Sequence, residues 1–264
     1  MSSTTLKQSV YGKHKIFFDD SNHTYFDSHK NRYSSVTQLL SSFQEKFDAP
    51  KIAAIIAKKE GRTTEDVLKE WEDKKDSSVD WGNLIHNNLE NFWKLQPYDA
   101  QFEKLAREIS DMVAYAKEVL PEVLIYYADK KIAGQSDLVV NRNANVYDFY
   151  DYKTNESKGI VFDSMAVKNG EIKYYNRYFK YPMAHLEDCN YVKYALQLSI
   201  YAYMAEMEFG WKIGRLAILF IDKKLNLNPI PVPYMRFEAE LLLEYFSVPK
   251  APIRMSEQDV LNSF

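Results

Sequence analysis

The stretch Asn145-Val146-Tyr147-Asp148-Phe149-Tyr150-Asp151-Tyr152-Lys153-Thr154-Asn155 decides the fold. Aromatic and β-branched residues fill it, so it predicts a strand over Val146–Lys153. Side chains alternate faces along a strand, which points Asp151 and Lys153 the same way. A carboxylate and an ammonium on one strand end are the minimum equipment for metal-dependent phosphodiester hydrolysis. The carboxylate can hold a divalent cation, and the lysine can orient or deprotonate a water or neutralise phosphate charge. Such a pair also occurs by chance on solvated strands, so its neighbours carry the argument.

Outward from this strand, two more are predicted at about Val123–Asp129 and Ile132–Val140, with a turn at Asn141–Asn145. Upstream lie a hairpin over residues 10–33 and a helix capped by Ser34 or Ser35 that carries Val36, Leu39 and Leu40. A helical region follows at 51–75, split at Gly61. Separate helices are predicted at Trp81–Lys94, where Ile85, Leu89 and Phe92 form an apolar stripe, and at 101–120, ended by Pro121. Downstream, residues 158–181 read as an insertion with short strands of its own. An apolar helix at Tyr191–Glu208, closed by Gly210, leads to a buried strand at Leu216–Ile221. An edge strand at Val232–Phe237 and a helix at Glu238–Phe246 complete the chain. Three adjacent strands followed by a helix and a further strand predict an α/β (α+β) fold around a mixed sheet.

Composition narrows the function. The 264-residue chain is 46% hydrophobic and 27% charged, the profile of an ordinary globular chain. A net charge of −3 gives no global positive field, so a polyanionic partner has to be held by local patches and a bound cation. One cysteine, Cys189, excludes an internal disulfide framework, a cysteine zinc site and a four-cysteine iron–sulfur cluster. The N-terminus has no secretory apolar region and no run of about 18 apolar residues occurs, which predicts a cytoplasmic protein without a membrane span. No phosphate-loop motif marks an ATP motor.

Asp137 and Asp151 stand at the ends of neighbouring predicted strands, where both could face one cation or simply be solvated. Gly134 suits a bend or a close approach of phosphate. His86 opens its helix with Glu90 one turn on; a lone helical histidine is usually structural or exposed, but here it can pack over the carboxylates. Gln197 and Tyr201 share one helix face, able to grip phosphate or to form a polar seam. The segment Lys173-Tyr174-Tyr175-Asn176-Arg177-Tyr178-Phe179-Lys180-Tyr181 interleaves basic and aromatic residues. It suits single-stranded nucleic acid or a charge-protected edge hairpin.

Together, Gly82…His86…Glu90, Gly134-x-x-Asp137, Asp151-x-Lys153 and Gln197-x-x-x-Tyr201 resemble the motif series of the PD-(D/E)XK nuclease superfamily. The resemblance covers about residues 80–221. It is nearest to the RecB-type branch, which includes the CRISPR-adaptation nucleases and the mitochondrial genome-maintenance exonuclease. It implies a restriction-endonuclease-like core in a single nuclease domain spanning 1–264. Residues 1–79 would be an N-terminal hairpin and helical extension, 80–221 the core with the 158–181 insertion, and 222–264 a C-terminal strand and helix. It further implies that His86, Asp137, Asp151 and the backbone carbonyl of Tyr152 bind one or two Mg²⁺ or Mn²⁺ ions, with Lys153 as the catalytic lysine. Gln197 and Tyr201 would support the site and contact DNA, and Glu90 and Glu122 match acidic positions of many members. Arg177 and Lys180 are added as candidate DNA contacts. Branch members with an iron–sulfur cluster use four cysteines, and this chain has one. The activity implied is hydrolysis of DNA to 5′-phosphate and 3′-hydroxyl products. With no motor or recognition domain in evidence, an exonuclease on DNA ends or single strands is expected. The setting expected is phage or bacterial replication, recombination or repair, in the host cytoplasm if phage-encoded, with partners among the proteins of those processes. A structure-specific endonuclease or resolvase and a non-catalytic nucleic-acid-binding subunit are the alternatives.

Overall fold

The computed structural model describes residues 6–154, 159–162, 165–168, 171–174 and 177–247. Four short antiparallel strands open it: β1 (Leu6–Gln8), β2 (Ile16–Asp19), β3 (Thr24–Asp27) and β4 (Arg32–Ser35). The expected hairpin is β2–β3, with β1 and β4 added at its edges. Ile16, Phe18, Tyr25 and Tyr33 alternate inward and are buried with Leu124 and Tyr126. Helix α1 (Val36–Ser42) starts on Ser35 with a reciprocal cap. The Ser35 hydroxyl accepts from the Gln38 N–H (3.1 Å), and the Gln38 side chain accepts from the Ser35 N–H (3.0 Å).

Helix α2 (Ala49–Glu60) ends at Gly61 in a left-handed conformation, φ 67°. Helix α3 (Thr64–Trp93) then runs unbroken for 30 residues. The sequence reading separated 51–75 from Trp81–Lys94. The structure joins the second part of the first to the second, because residues 74–80 hold neither Gly nor Pro to interrupt the backbone. After a 3₁₀ turn at Ala100–Phe102, helix α4 covers only Glu103–Met112, and β5 (Glu118–Tyr127) begins before Pro121. The helix expected to reach residue 120 is thus corrected. Among the described residues β5 pairs with β6 alone, and an unpaired outer edge tolerates a proline inside the strand.

β6 (Ile132–Asn143) and β7 (Val146–Lys153) are joined by Ala144 and Asn145, both at positive φ (42° and 67°), as a two-residue hairpin turn requires. A two-stranded sheet of β8 (Met165–Lys168) and β9 (Glu171–Tyr174) lies within the expected insertion. Helix α5 (Asn190–Phe209) closes on Gly210, φ 67°. It returns the chain to β10 (Lys212–Ile221), parallel to β7. β11 (Leu227–Val232) pairs antiparallel with β10, and α6 (Arg236–Ser247) ends the described chain. The final strand therefore precedes the expected Val232–Phe237. Pro229 and Pro231 sit within it, two apart, so both direct their missing donors to the open edge.

The result is an α+β fold with a nine-stranded mixed sheet, ordered β1-β2-β3-β4-β6-β7-β10-β11 with β5 on β6. One face packs on α1, α5 and α6 through residues such as Leu39, Val139, Phe149, Leu198 and Ile218. The other packs on α3 and α4 through Ile85, Leu89, Leu105, Ile109, Leu138 and Tyr150. Full burial of each such side chain contributes roughly 1.5–3 kcal/mol.

β6 is the pivot. β5 pairs along one of its edges from Ile132 to Asn141. The other edge is shared: β4 takes Ile132 and Ala133, and β7 takes Leu138 to Asn143. The ladder therefore lapses over Gly134–Asp137, and that gap positions the candidate site.

Candidate active site

Asp137 stands one residue beyond the last β6–β7 pair, Leu138 with Tyr150. Had the ladder continued, Asp137 would face Asp151. Instead the Tyr152 N–H donates to Asp137 Oδ2 at 2.7 Å, which fixes the aspartate against the end of β7. Strand alternation places Asp137, Asp151 and Lys153 on the face of Val139 and Phe149, towards α5. Lys153 Nζ forms an ion pair with Asp151 Oδ2 and lies 4.9 Å from the ring centre of Tyr194 on α5.

His86 reaches the same place from α3. Its Nδ1 is 3.5 Å from Asp137 Oδ1, and its ring meets that of Tyr152 edge-on at 5.5 Å. Trp93, two turns on, donates to the Tyr152 hydroxyl at 3.3 Å and steadies that ring. Gly82 lets the helix come this near, since a Cβ there would sit 3.3 Å from Thr154 Oγ1.

Glu122 enters from β5. The flanking pairs Pro121–Leu138 and Val123–Ser136 put it opposite Asp137. Its φ of 52° is a conformation that a non-glycine residue adopts at some cost, commonly at functional positions. His86, Glu122 and Asp137 each offer a ligand atom within 4.8 Å of the others. The sequence reading named Glu122 only as an acidic position. The register of a hairpin turning near residues 128–131 was the signal that could have paired it with Asp137.

Crowding of charge shapes the titration of the site. Burial pushes the Glu122 carboxyl up to about 8, with Asp137 adding to the effect and Lys7 opposing it. Burial likewise raises Asp151 to about 6, against the pull of Lys153. For His86, burial favours the neutral ring, but the adjacent Asp137 outweighs it and raises the imidazole to about 9. Asp137 is itself held below the usual carboxylate range, because His86 overcomes its burial. Lys153 is raised in spite of burial, chiefly by Asp151.

Gln197 and Tyr201 are buried on the sheet-facing side of α5, with Gln197 Nε2 donating to the Tyr201 hydroxyl at 3.4 Å. The ring of Tyr201 occupies the space over Gly134, where an added Cβ would come within 2.6 Å of it. Gly134 therefore admits a tyrosine rather than a bend. Glu90 is ion-paired with Lys94 and, at 3.2 Å, with Lys7 from β1, a residue that the motif reading did not single out. Arg177 and Lys180 are exposed; Lys180 Nζ lies 3.8 Å from Glu45. Tyr175 and Asn176 of the interleaved segment lie outside the described residues, as do the side chains of Lys173 and Tyr174.

No family model and no curated protein matches the chain. Among solved structures it is similar to one named SSO0001, at 14% identity over 83% of this chain and 76% of that one, with a TM-score of 0.34. It is also similar to a Eubacterium rectale protein named "putative exonuclease", at 13% identity over 69% of this chain and 74% of that one, with a TM-score of 0.33. Both overlays are loose, and what the site can do rests on its own geometry: a group of hard oxygen donors with one imidazole, able to hold a metal ion, beside a partly buried lysine.

Proposed function

We propose that this chain is a Mg²⁺- or Mn²⁺-dependent deoxyribonuclease of the PD-(D/E)XK superfamily, RecB-type branch, acting on DNA ends or single strands. The observation that carries this reading is the meeting of Asp137, Asp151 and Lys153 with His86 at a gap in the β6–β7 ladder. Those residues come from three elements and from three of the four motif segments. The donor set fits the metal: carboxylates suit Mg²⁺, and the added imidazole suits Mn²⁺. Among the described residues no helix is long and apolar enough to cross a membrane.

Asp137, His86, Asp151 and the Tyr152 carbonyl would hold the ion, with Glu122 as a further carboxylate. When bound, the ion would polarise the phosphodiester and lower the pKa of a water. Lys153 then orients the attacking water or offsets charge that builds on the phosphate. Asp151 keeps the ammonium in place, and Tyr194 lies beside it. Water adds to phosphorus as the bond to the 3′-oxygen breaks, leaving a 5′-phosphate and a 3′-hydroxyl. Digestion of 5′- and 3′-labelled single- and double-stranded DNA with Mg²⁺, Mn²⁺ or EDTA tests the reading, with closed-circular single strands as the control for end dependence. Mononucleotide release with either metal, none with EDTA, and a spared circle are the expected results. No cleavage with either metal would overturn the assignment.

A further inference from the structure

Lys7 lies on β1, a three-residue strand at the outer edge of the sheet, yet its ammonium ends among the acids of the candidate site. The strand register explains how. Lys7 faces Phe18, Phe18 faces Tyr25 and Tyr25 faces Tyr33, so all four share the inward face. Phe18 and Tyr25 stack at 4.6 Å and give the lysine stem an apolar floor, leaving the charged tip to reach beyond it. Nζ donates to Glu90 Oε1 at 3.2 Å and stands 3.9 Å from Glu122 Oε2. The side chains of Lys7, Glu90 and Glu122 are 27%, 17% and 14% exposed, so water screens these charges only in part.

We infer that Lys7 is a resident counter-ion of the acid cluster: it holds Glu122 while no cation is bound, and its charge restrains the affinity of any divalent cation that takes Glu122. The inference rests on the metal-dependent reading above. Glu122 shares its ligand space with His86 and Asp137, so a cation among them is brought within a few ångströms of the ammonium. Like charges at that range repel strongly in a partly buried setting. Glu90 has a second cationic partner in Lys94, so loss of Lys7 leaves Glu122 as the carboxylate most altered.

A purely structural ion pair and a counter-ion differ in the sign of one measurement. Mn²⁺ titration by calorimetry on the full chain, with melting in EDTA alongside, compares wild type with Lys7→Met, Lys7→Gln and Lys7→Arg. Lys7→Met and Lys7→Gln are expected to bind Mn²⁺ about tenfold tighter, and Lys7→Arg to stay near wild type. Lys7→Gln keeps the inference testable if Lys7→Met does not fold. A folded neutral variant that binds Mn²⁺ as wild type does, or more weakly, overturns it. A wild type that binds no Mn²⁺ overturns the metal reading as well, whereas normal wild-type binding with unchanged variants sinks this inference alone.

Discussion

β7 buries two aspartates three residues apart, and their surroundings differ. Asp148 is 0% exposed and fully engaged. Its Oδ2 accepts from the Tyr115 hydroxyl (2.6 Å) and from Arg142 Nε (2.7 Å), and its Oδ1 accepts from the Arg215 N–H (2.5 Å). Gly214 leaves room for the carboxylate, since a Cβ there would collide with Oδ1. Asp151, on the opposite face, is 2% exposed, and its Oδ2 meets the ammonium of Lys153. A buried carboxylate whose lone pairs are all used fastens the fold. One paired with a lysine beside other titratable groups, its own titration shifted by burial, is the arrangement that recurs at functional sites.

The sharpest way to break this contrast is to change each aspartate in turn. Asp151→Asn and Lys153→Ala are each expected to slow cleavage in single-turnover assays by about 10²–10⁴-fold. DNA binding by Lys153→Ala in Ca²⁺ should persist, because the lysine acts on the chemical step; near-normal cleavage would end its assignment. Asp148→Ala should do the reverse. It strands Arg142 and the Arg215 N–H, and urea denaturation should show a loss of about 3–5 kcal/mol while Mn²⁺ affinity stays unchanged. Weakened Mn²⁺ binding with normal stability would mean the two roles have been assigned the wrong way round.

Smaller effects refine the site itself. Asp137→Asn should weaken Mn²⁺ binding in calorimetry by roughly tenfold or more, and His86→Ala by less, since the first removes a charge together with a ligand oxygen. Glu122 offers a pH test. Folding raises its carboxyl from an ordinary value near 4.5 to about 8, so between those limits the native state holds more protons than the unfolded chain. Stability from this group is therefore greatest at low pH and falls as pH rises through the window. In EDTA, Glu122→Gln should melt above wild type at pH 8 and level with it below pH 4.5. Parallel melting curves across that range would show that the charge of Glu122 is not under strain.

Much of this architecture was legible in the chain. The strand Val146–Lys153 matches residue for residue, because aromatic and β-branched residues with no breaker leave no alternative. The Ser35 cap and the Gly210 stop were equally local signals. What was misread depended on context. Pro121, Pro229 and Pro231 look like strand or helix boundaries until the sheet shows that they lie on open edges. The approach of Lys7 to Glu90, 83 residues away, has no local signature, because it follows from the register of the first three strands. The same holds for the role of Gly134, which only the ring of Tyr201 explains.

The shared edge of β6 has one further consequence, in the language of hydrogen exchange. Among the described residues, the four N-terminal strands join the ladder of the main sheet through two residue pairs, Ser34 with Ile132 and Ser35 with Ala133. Their small core, around Phe18 and Tyr25, includes Leu124 and Tyr126 of β5 and Ala133 of β6 but is distinct from the two larger cores on either face of the central strands. Such a unit can open as a foldon of its own at a fraction of the global unfolding free energy. Amides of residues 16–27 are then expected to exchange ahead of those in 146–153, and each opening carries Lys7 away from Glu122 while β6, β7 and α3 keep their places.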